Sequence, residues 1–333
     1  MTATTAPMPV LEVKDLRVRF RARRGDVPAV DGVSFRLAPG EILGVVGESG
    51  CGKSTLCSAL TRLLPDNAEV TGSIRYRGEE LLTKTAAEMR ALRGREITMV
   101  LQNPMTAMDP LFTVGSQFDE VLRHNSAMSS SERGARALEM LRLVHIPSPA
   151  ERLASYPHQM SGGMKQRMLT AMATALKPGL LLADEPTTAL DVTIQAQILR
   201  LLAEIRASLG TAIILVTHDL GIVRRLTDRL VIMYAGRAVE TGETETIFTD
   251  PQHPYTRALL ASIPRIGQTN RRLTAIDGQI PDLANLPPGC AFAPRCPQAM
   301  PRCAEDYPPS FDTGPDRTAC CWLHDTSRKD AAA

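Results

Sequence analysis

At 333 residues, with 44% hydrophobic and 22% charged side chains, the chain can bury a sizeable core and has room for one large domain plus an appendage. A formal net charge of +2 gives little electrostatic reason to bind nucleic acid. The opening MTATTAPMPV has neither a charged leader nor an apolar h-region, and no apolar run approaches the roughly 18 residues that cross a bilayer. The chain is therefore expected in the cytoplasm, with any membrane contact made through partners.

From Val10 to Leu43 the segments LEVKDLRVRF, AVDGVSFRL and EILGVV read as strands separated by turns such as Pro39-Gly40. Arg21, Arg23 and Arg24 read as a solvated hairpin tip. The third strand runs into GESGCGKST, Gly47 to Thr55, and the helical spacing of Leu56, Leu60 and Leu63 follows. This is strand, phosphate loop, helix. Gly47, Gly50 and Gly52 free successive N–H groups to wrap phosphate oxygens, with Glu48, Ser49, Cys51 and Thr55 completing the cradle. Lys53 supplies a cation to the terminal phosphates, and the Ser54 hydroxyl suits Mg²⁺.

A further strand spans Glu96 to Gln102, and Asn103 to Ala173 reads as an all-helical insertion in an α/β core. The insertion includes Ser131 to Val144 and ends in the helix SGGMKQR, Ser161 to Arg167. Met160, Met164, Met168 and Met172 form a stripe at four-residue spacing, which reads as thioethers packing the insertion. The core resumes at GLLLADE, Gly179 to Glu185, followed by a helix with apolar face Ile194, Ile198, Leu201, Leu202 and Ile205. The strands TAIILVTHD and RLVIMYAG come next. Continuous apolar strands alternating with helices predict a mainly parallel sheet covered on both faces. From Ile263 the composition shifts to Pro, Cys and Arg, the appendage.

Asp184 ends a buried apolar strand, where an acid can hold water on Mg²⁺, and Glu185 follows at the right reach to polarise an attacking water. Gln102 is placed to sense the γ-phosphate or Mg²⁺ and to pass that to the insertion, and His218 to hydrogen-bond the γ-phosphate. Asp191 reads either as part of the site or as a helix cap. Ser161, Gly162 and Gly163 make a second anion-binding arrangement at a helix start. One chain needs only one such terminus per triphosphate, and no internal repeat supplies a second nucleotide unit. The expectation is a head-to-tail sandwich, each ATP lying between the Lys53 loop of one subunit and the SGG element of another.

Of seven cysteines, Cys51 and Cys57 lie near the loop, while Cys290, Cys296, Cys303, Cys320 and Cys321 crowd toward the end. In a reducing compartment such a cluster reads as a metal centre rather than disulfides. Four thiolates suit zinc or an iron-sulfur cluster, and the spacing Cys290-x5-Cys296-x6-Cys303 fits no common zinc ribbon.

Taken together, GESGCGKST, Gln102, SGGMKQR, LLLADE, the TTALD loop ending at Asp191, and His218 resemble the ATP-binding cassette family over roughly Val10 to Ser262. More narrowly, LQNPMTAMDP, YPHQMSGGMKQR, ADEPTTALDVTIQAQIL, MYAGRAVETG and HPYTRALL look like the ATP-binding subunits of bacterial oligopeptide and dipeptide importers. Met160 replaces that family's usual leucine before SGG, and Met164 its common glutamine. The resemblance implies an α/β fold: a RecA-like P-loop NTPase core with an antiparallel β subdomain, an inserted α-helical subdomain (103–173) and a Cys-rich C-terminal extension. It places the nucleotide-binding domain at 9–262 and the extension at 263–333.

The resemblance further implies a peripheral ATPase on the cytoplasmic face of the cell membrane. Its partners would be a paralogous ATPase, two permease subunits and an extracytoplasmic substrate-binding protein. It implies MgATP with Ser54, Gln102 and Asp184 about the metal, and Phe20 stacked on adenine. It also favours a 4Fe-4S cluster on Cys290, Cys296, Cys303 and Cys321, with Cys320 the weaker fourth ligand and zinc the alternative. Peptides are the cargo the family suggests, with nickel, glutathione and glycosides as alternatives. A DNA-maintenance ATPase would need a long coiled coil between Gln102 and Ser161, a translation factor two cassettes, and an exporter half transmembrane helices.

Overall fold

The computed structural model describes residues 8–22, 25–101, 104–188, 191–263 and 276–326. The chain forms two compact units, one drawn mainly from 36–42 and 75–216, the other from 13–35, 43–74 and the residues from Thr217 onward.

The first unit carries parallel strands Ile97–Val100, Leu180–Asp184 and Ala212–Thr217, in register from Ile97 opposite Leu180 and from Leu180 opposite Ala212. Every residue of the second and third strands is buried, as expected of parallel strands covered on both faces. Between the first two strands lie the helices Val114–Asn125, Ser130–Leu143 and Gly162–Thr174. Their apolar faces, among them Phe118, Leu122, Met140, Leu141 and Met168, share one core. Met160 and Met172 are buried in it and Met164 packs against it, so the methionine stripe is packing. Each helix starts at a side-chain cap: Thr113, Ser161, and Ser129 in a reciprocal box with Glu132. Helix Val192–Leu209 is capped by Asp191 and stopped by left-handed Gly210.

Strands Val27–Leu37, Leu11–Phe20 and Ala68–Tyr76, most of whose residues belong to the second unit, lie side by side in that order. Strand Ile42–Val46 runs parallel to Arg229–Tyr234, with Val46 opposite Ile232, and leads through the phosphate loop into helix Lys53–Leu60. Arg229–Tyr234 turns back into Arg237–Glu243 through Ala235 and Gly236, both at positive φ (47° and 82°), the type I′ geometry of a tight hairpin.

The Cys- and Pro-rich appendage also contains strand. Arg317–Ala319 pairs antiparallel with Arg237–Glu243, and Phe311–Gly314 pairs with Arg317–Ala319. Too short to show an alternating pattern, both escaped the sequence reading, as did Ala68–Tyr76. Among the described residues no helix is long and apolar enough to cross a membrane.

A buried polar knot secures this edge. Glu240, 1% exposed, accepts from the backbone N–H groups of Gln252 (2.8 Å) and His253 (2.9 Å) and from the Arg317 guanidinium (3.2 Å). His253 is buried as well; its Nδ1 accepts from the Tyr255 N–H at 3.0 Å and so caps helix Pro254–Ala261. Burial first, then the neighbouring His324 and Arg257, lowers the His253 pKa from 6.5 to about 3. In the unfolded chain this imidazole takes up its proton as pH falls through 6.5, while the folded one resists until about 3. Its contribution is therefore complete above pH 6.5 and is lost on acidification toward pH 3, with a slope of up to about 1.4 kcal/mol per pH unit. His253→Asn keeps a capping oxygen without titrating. Urea unfolding of wild type and variant between pH 7 and pH 4 is expected to give a shallower acid loss in the variant; parallel curves would rule the histidine out as the source.

Candidate functional site

The phosphate loop is held by its own lysine. Lys53 is buried, and its ammonium donates to the carbonyl oxygens of Gly47 (2.7 Å) and Glu48 (2.9 Å), curling the loop round the head of helix Lys53–Leu60. Gly52 precedes the helix at φ 99° with no side-chain cap, which leaves the N-terminal end open to an anion. A Cβ on Gly52 would stand 2.1 Å from the Ala29 carbonyl oxygen, so the position has neither the dihedral freedom nor the space for a side chain. Ser49, Gly50 and Ser54 are exposed on the loop, while Cys51 is buried and its thiol pKa is raised by that burial. An uncapped helix start, an enclosed lysine and a surface hydroxyl one residue on form a donor set that fits a magnesium-bound triphosphate.

Two other expected residues lie in the same unit. His218 is exposed just past strand Ala212–Thr217, beside Asp219, whose carboxylate caps helix Leu220–Leu226 through the Gly221 N–H at 2.8 Å. Phe20 is half-buried at the end of its strand, where Arg21 N–H donates to the Asn67 carbonyl at 2.9 Å. Arg23 and Arg24 lie outside the described residues.

In the first unit, Asp184 is buried at the end of its strand. Glu185 follows at φ 46°, a left-handed conformation that costs about 1–3 kcal/mol for a residue with a Cβ. Among the bonds that hold it there, its N–H donates to the Val216 carbonyl at 2.9 Å, its carbonyl accepts from the Thr188 N–H at 3.1 Å, and its carboxylate accepts from the Thr188 hydroxyl at 2.8 Å. Thr188 has no signal in the sequence beyond its place in the PTT run. Strain of this kind, retained by specific bonds, is typical of functional positions. Ser161 is exposed and caps its helix by accepting from the Met164 N–H at 3.3 Å. Gly163 answers a packing demand, since a Cβ there would lie 2.7 Å from Ile194 Cγ2. Asp191 caps helix Val192–Leu209 through the Ile194 N–H at 3.0 Å. Gln102 lies outside the described residues.

The cysteine expectation is corrected. Cys290, Cys296, Cys303 and Cys321 do line one cavity, with Phe292 and Trp322 among its walls. Even so, among the described residues no three His, Cys, Asp or Glu side chains come together as a group able to hold a metal ion. Neither a 4Fe-4S cluster nor the zinc alternative is supported. Burial pushes the thiols of Cys290 and Cys321 up to about 11. Cys320 turns elsewhere, with its Sγ 3.4 Å from the Ala238 carbonyl. Sequence spacing brought the residues to one cavity, but a cavity lined by thiols is not a coordination shell.

Comparison with known proteins agrees with this geometry. Residues 30–188 match the family model described as ABC transporter, and residues 239–303 match the oligopeptide/dipeptide transporter C-terminal region. The chain is 49% identical over 318 residues to the dipeptide transport ATP-binding protein DppD of Bacillus subtilis, covering 95% of both chains. It is 46% identical over 324 residues to the oligopeptide transport ATP-binding protein OppD of Salmonella typhimurium, covering 96% of both. Among solved structures, the dimeric ATP-binding cassette MJ0796 in a post-hydrolysis state with ADP and Pi superposes with a TM-score of 0.63. It is 27% identical and is covered over 98% of its length by 70% of this chain.

Gly52 and Gly50 separate the two demands on a loop glycine. Both have positive φ, but a Cβ at Gly50 would meet nothing within 4 Å. Gly52→Ala is expected to lower stability by more than Gly50→Ala, the latter costing about 1 kcal/mol of backbone strain alone. Thermal denaturation of the two variants checks the order.

Proposed function

This chain belongs to the ABC transporter family, and on that premise we propose that it is the ATP-hydrolysing subunit of a peptide importer, driving di- or oligopeptide uptake. The single observation that supports transport rather than another use of the fold is the extent of the match, which takes in the C-terminal region of peptide transporters as well as the cassette.

We assign the roles as follows. The main chain from Gly47 to Thr55 and the Lys53 ammonium bind the triphosphate, with Phe20 against the adenine. Ser54, Asp184 and Gln102 are the residues that would hold Mg²⁺ or its waters, and the ion would supply charge neutralisation to the phosphates. Glu185 takes the proton of the attacking water; His218 and Gln102 report on the γ-phosphate. Ser161, Gly162 and Gly163 face the nucleotide of a second subunit, with Asp191 at the same junction. Nucleotide then closes the pair and hydrolysis lets it part, the helices within 103–173 carrying that movement to the permease.

We take 9–262 as the nucleotide-binding domain and 263–333 as its extension. The proposed assembly contains a paralogous ATPase and two permease subunits at the cytoplasmic face of the cell membrane, fed by an extracytoplasmic binding protein. No nucleic acid is involved.

Glu185→Gln is expected to cut turnover by on the order of 100-fold while MgATP still binds. Lys53→Ala is expected to weaken binding itself. Hydrolysis rates and nucleotide titrations on the purified protein check both, and full turnover in Glu185→Gln would remove that carboxylate from the mechanism. For cargo, the assembled transporter in proteoliposomes should hydrolyse ATP faster when its binding protein is loaded with peptide; no stimulation by any peptide would overturn the peptide assignment.

A further inference from the structure

Glu48, the second residue of the phosphate loop, is gripped by two side chains from far along the chain. The Arg295 guanidinium donates to both carboxylate oxygens, Nη1 to Oε2 at 2.8 Å and Nη2 to Oε1 at 3.1 Å. The Tyr255 hydroxyl accepts from the Glu48 backbone N–H at 3.0 Å. The Glu48 carbonyl, in turn, is one of the two that hold the Lys53 ammonium. Residue 48 is thus fixed through its N–H, its side chain and its carbonyl, and the last of these three is the seat of the lysine.

Arg295 is itself fully engaged. Beyond Glu48 it donates through Nε to the Asp277 carbonyl (2.9 Å), through Nη1 to the Tyr234 hydroxyl (3.2 Å) and through Nη2 to the Ile276 carbonyl (3.1 Å). Five bonds match the five N–H groups of a guanidinium. Its side chain is 4% exposed, and the bond to Glu48 leads the causes that raise its pKa. The site is walled by aromatic rings: Tyr234 and Tyr255 lie 4.6 Å apart between centroids, and Phe292 lies 5.3 Å from Tyr234. A cation so enclosed and so completely bonded does not drift to another acceptor, and the planar fork fixes the carboxylate in orientation as well as position.

We propose that Arg295 is a positioning residue for nucleotide binding: through Glu48 it sets the shape of the phosphate loop and the seat of Lys53, so that the C-terminal segment contributes to ATP affinity without touching ATP. The proposal rests on the assignment of Gly47 to Thr55 as the triphosphate site. A residue that only ties the C-terminal segment down would change stability and leave nucleotide affinity alone. One that acts through Glu48 changes affinity, and its effect disappears once Glu48 can no longer receive it.

A double-mutant cycle on the full-length protein separates these. Wild type, Arg295→Gln, Glu48→Gln and the double variant are compared by calorimetric titration with MgATP, by KM and kcat for hydrolysis, and by thermal midpoint. Arg295→Gln is expected to raise Kd and KM about 5-fold or more with kcat changed far less, and the double variant to bind no worse than the weaker single one. Arg295→Lys, which keeps the charge but loses the fork, should recover part of the affinity. If Arg295→Gln fails to fold, Tyr255→Phe, which removes the acceptor of the Glu48 N–H at nearly constant volume, is expected to raise Kd in the same direction. Unchanged Kd in the folded variants, or single effects that simply add, would overturn the proposal. If wild type binds no MgATP, or Lys53→Ala binds as tightly as wild type, the nucleotide assignment falls and this inference with it. With wild-type binding intact and Lys53→Ala weakened, an unaltered Arg295→Gln sinks the positioning role alone.

Discussion

A lysine ammonium out of water must be met by oxygen, and Lys53 finds it in the carbonyls of Gly47 and Glu48. That requirement shapes the loop. To bring two carbonyls back over the helix head, the chain turns through Gly52 at φ 99°, close against Ala29. The loop is then tied at its waist, where the Gly236 N–H donates to the Cys51 carbonyl at 3.0 Å and the Gly236 carbonyl accepts from the Asp31 N–H at 2.8 Å. The hairpin turn at Ala235 and Gly236 thus supports the loop as well as reversing the strand. Its left-handed dihedrals direct main-chain groups both ways.

Much of this was legible because it is local. A Gly-rich run between an apolar strand and a helix specifies its own geometry, and four-residue spacing placed the methionines in a helical core where they are found. Caps at Ser161 and Asp191 are equally short-range, each reading a donor three residues on. Gly163 answers to more than its neighbours in sequence. The open amide suggested by SGG is a property of three consecutive residues, whereas its need for glycine comes from Ile194, in another helix.

The C-terminal segment shows where such reading fails. Its cysteines are conspicuous in composition, yet the structure brings four of the five to a cavity without gathering a metal-binding group among the described residues. Arg295, one of several arginines in a Pro- and Cys-rich stretch, has no mark of its own. Its partner is 247 positions away, and nothing in a local window can register a pairing of that range. Glu240 is similar: an acid in a strand reads as a solvated face, but here it is buried because Gln252, His253 and Arg317 converge on it.

The acid at position 48 also raises an electrostatic question that the arginine resolves. A free carboxylate within a loop that receives a triphosphate would oppose its ligand; at an effective dielectric of about 20, two unit charges about 8 Å apart repel by about 2 kcal/mol. Paired with Arg295, the residue presents no net charge, while its main chain still seats Lys53. Removing the acid would not simply relieve repulsion, because the guanidinium, 4% exposed, would lose its counter-charge in a site walled by rings. Carboxylate and guanidinium are therefore needed together or not at all, which makes the far end of the chain part of the phosphate loop's electrostatics.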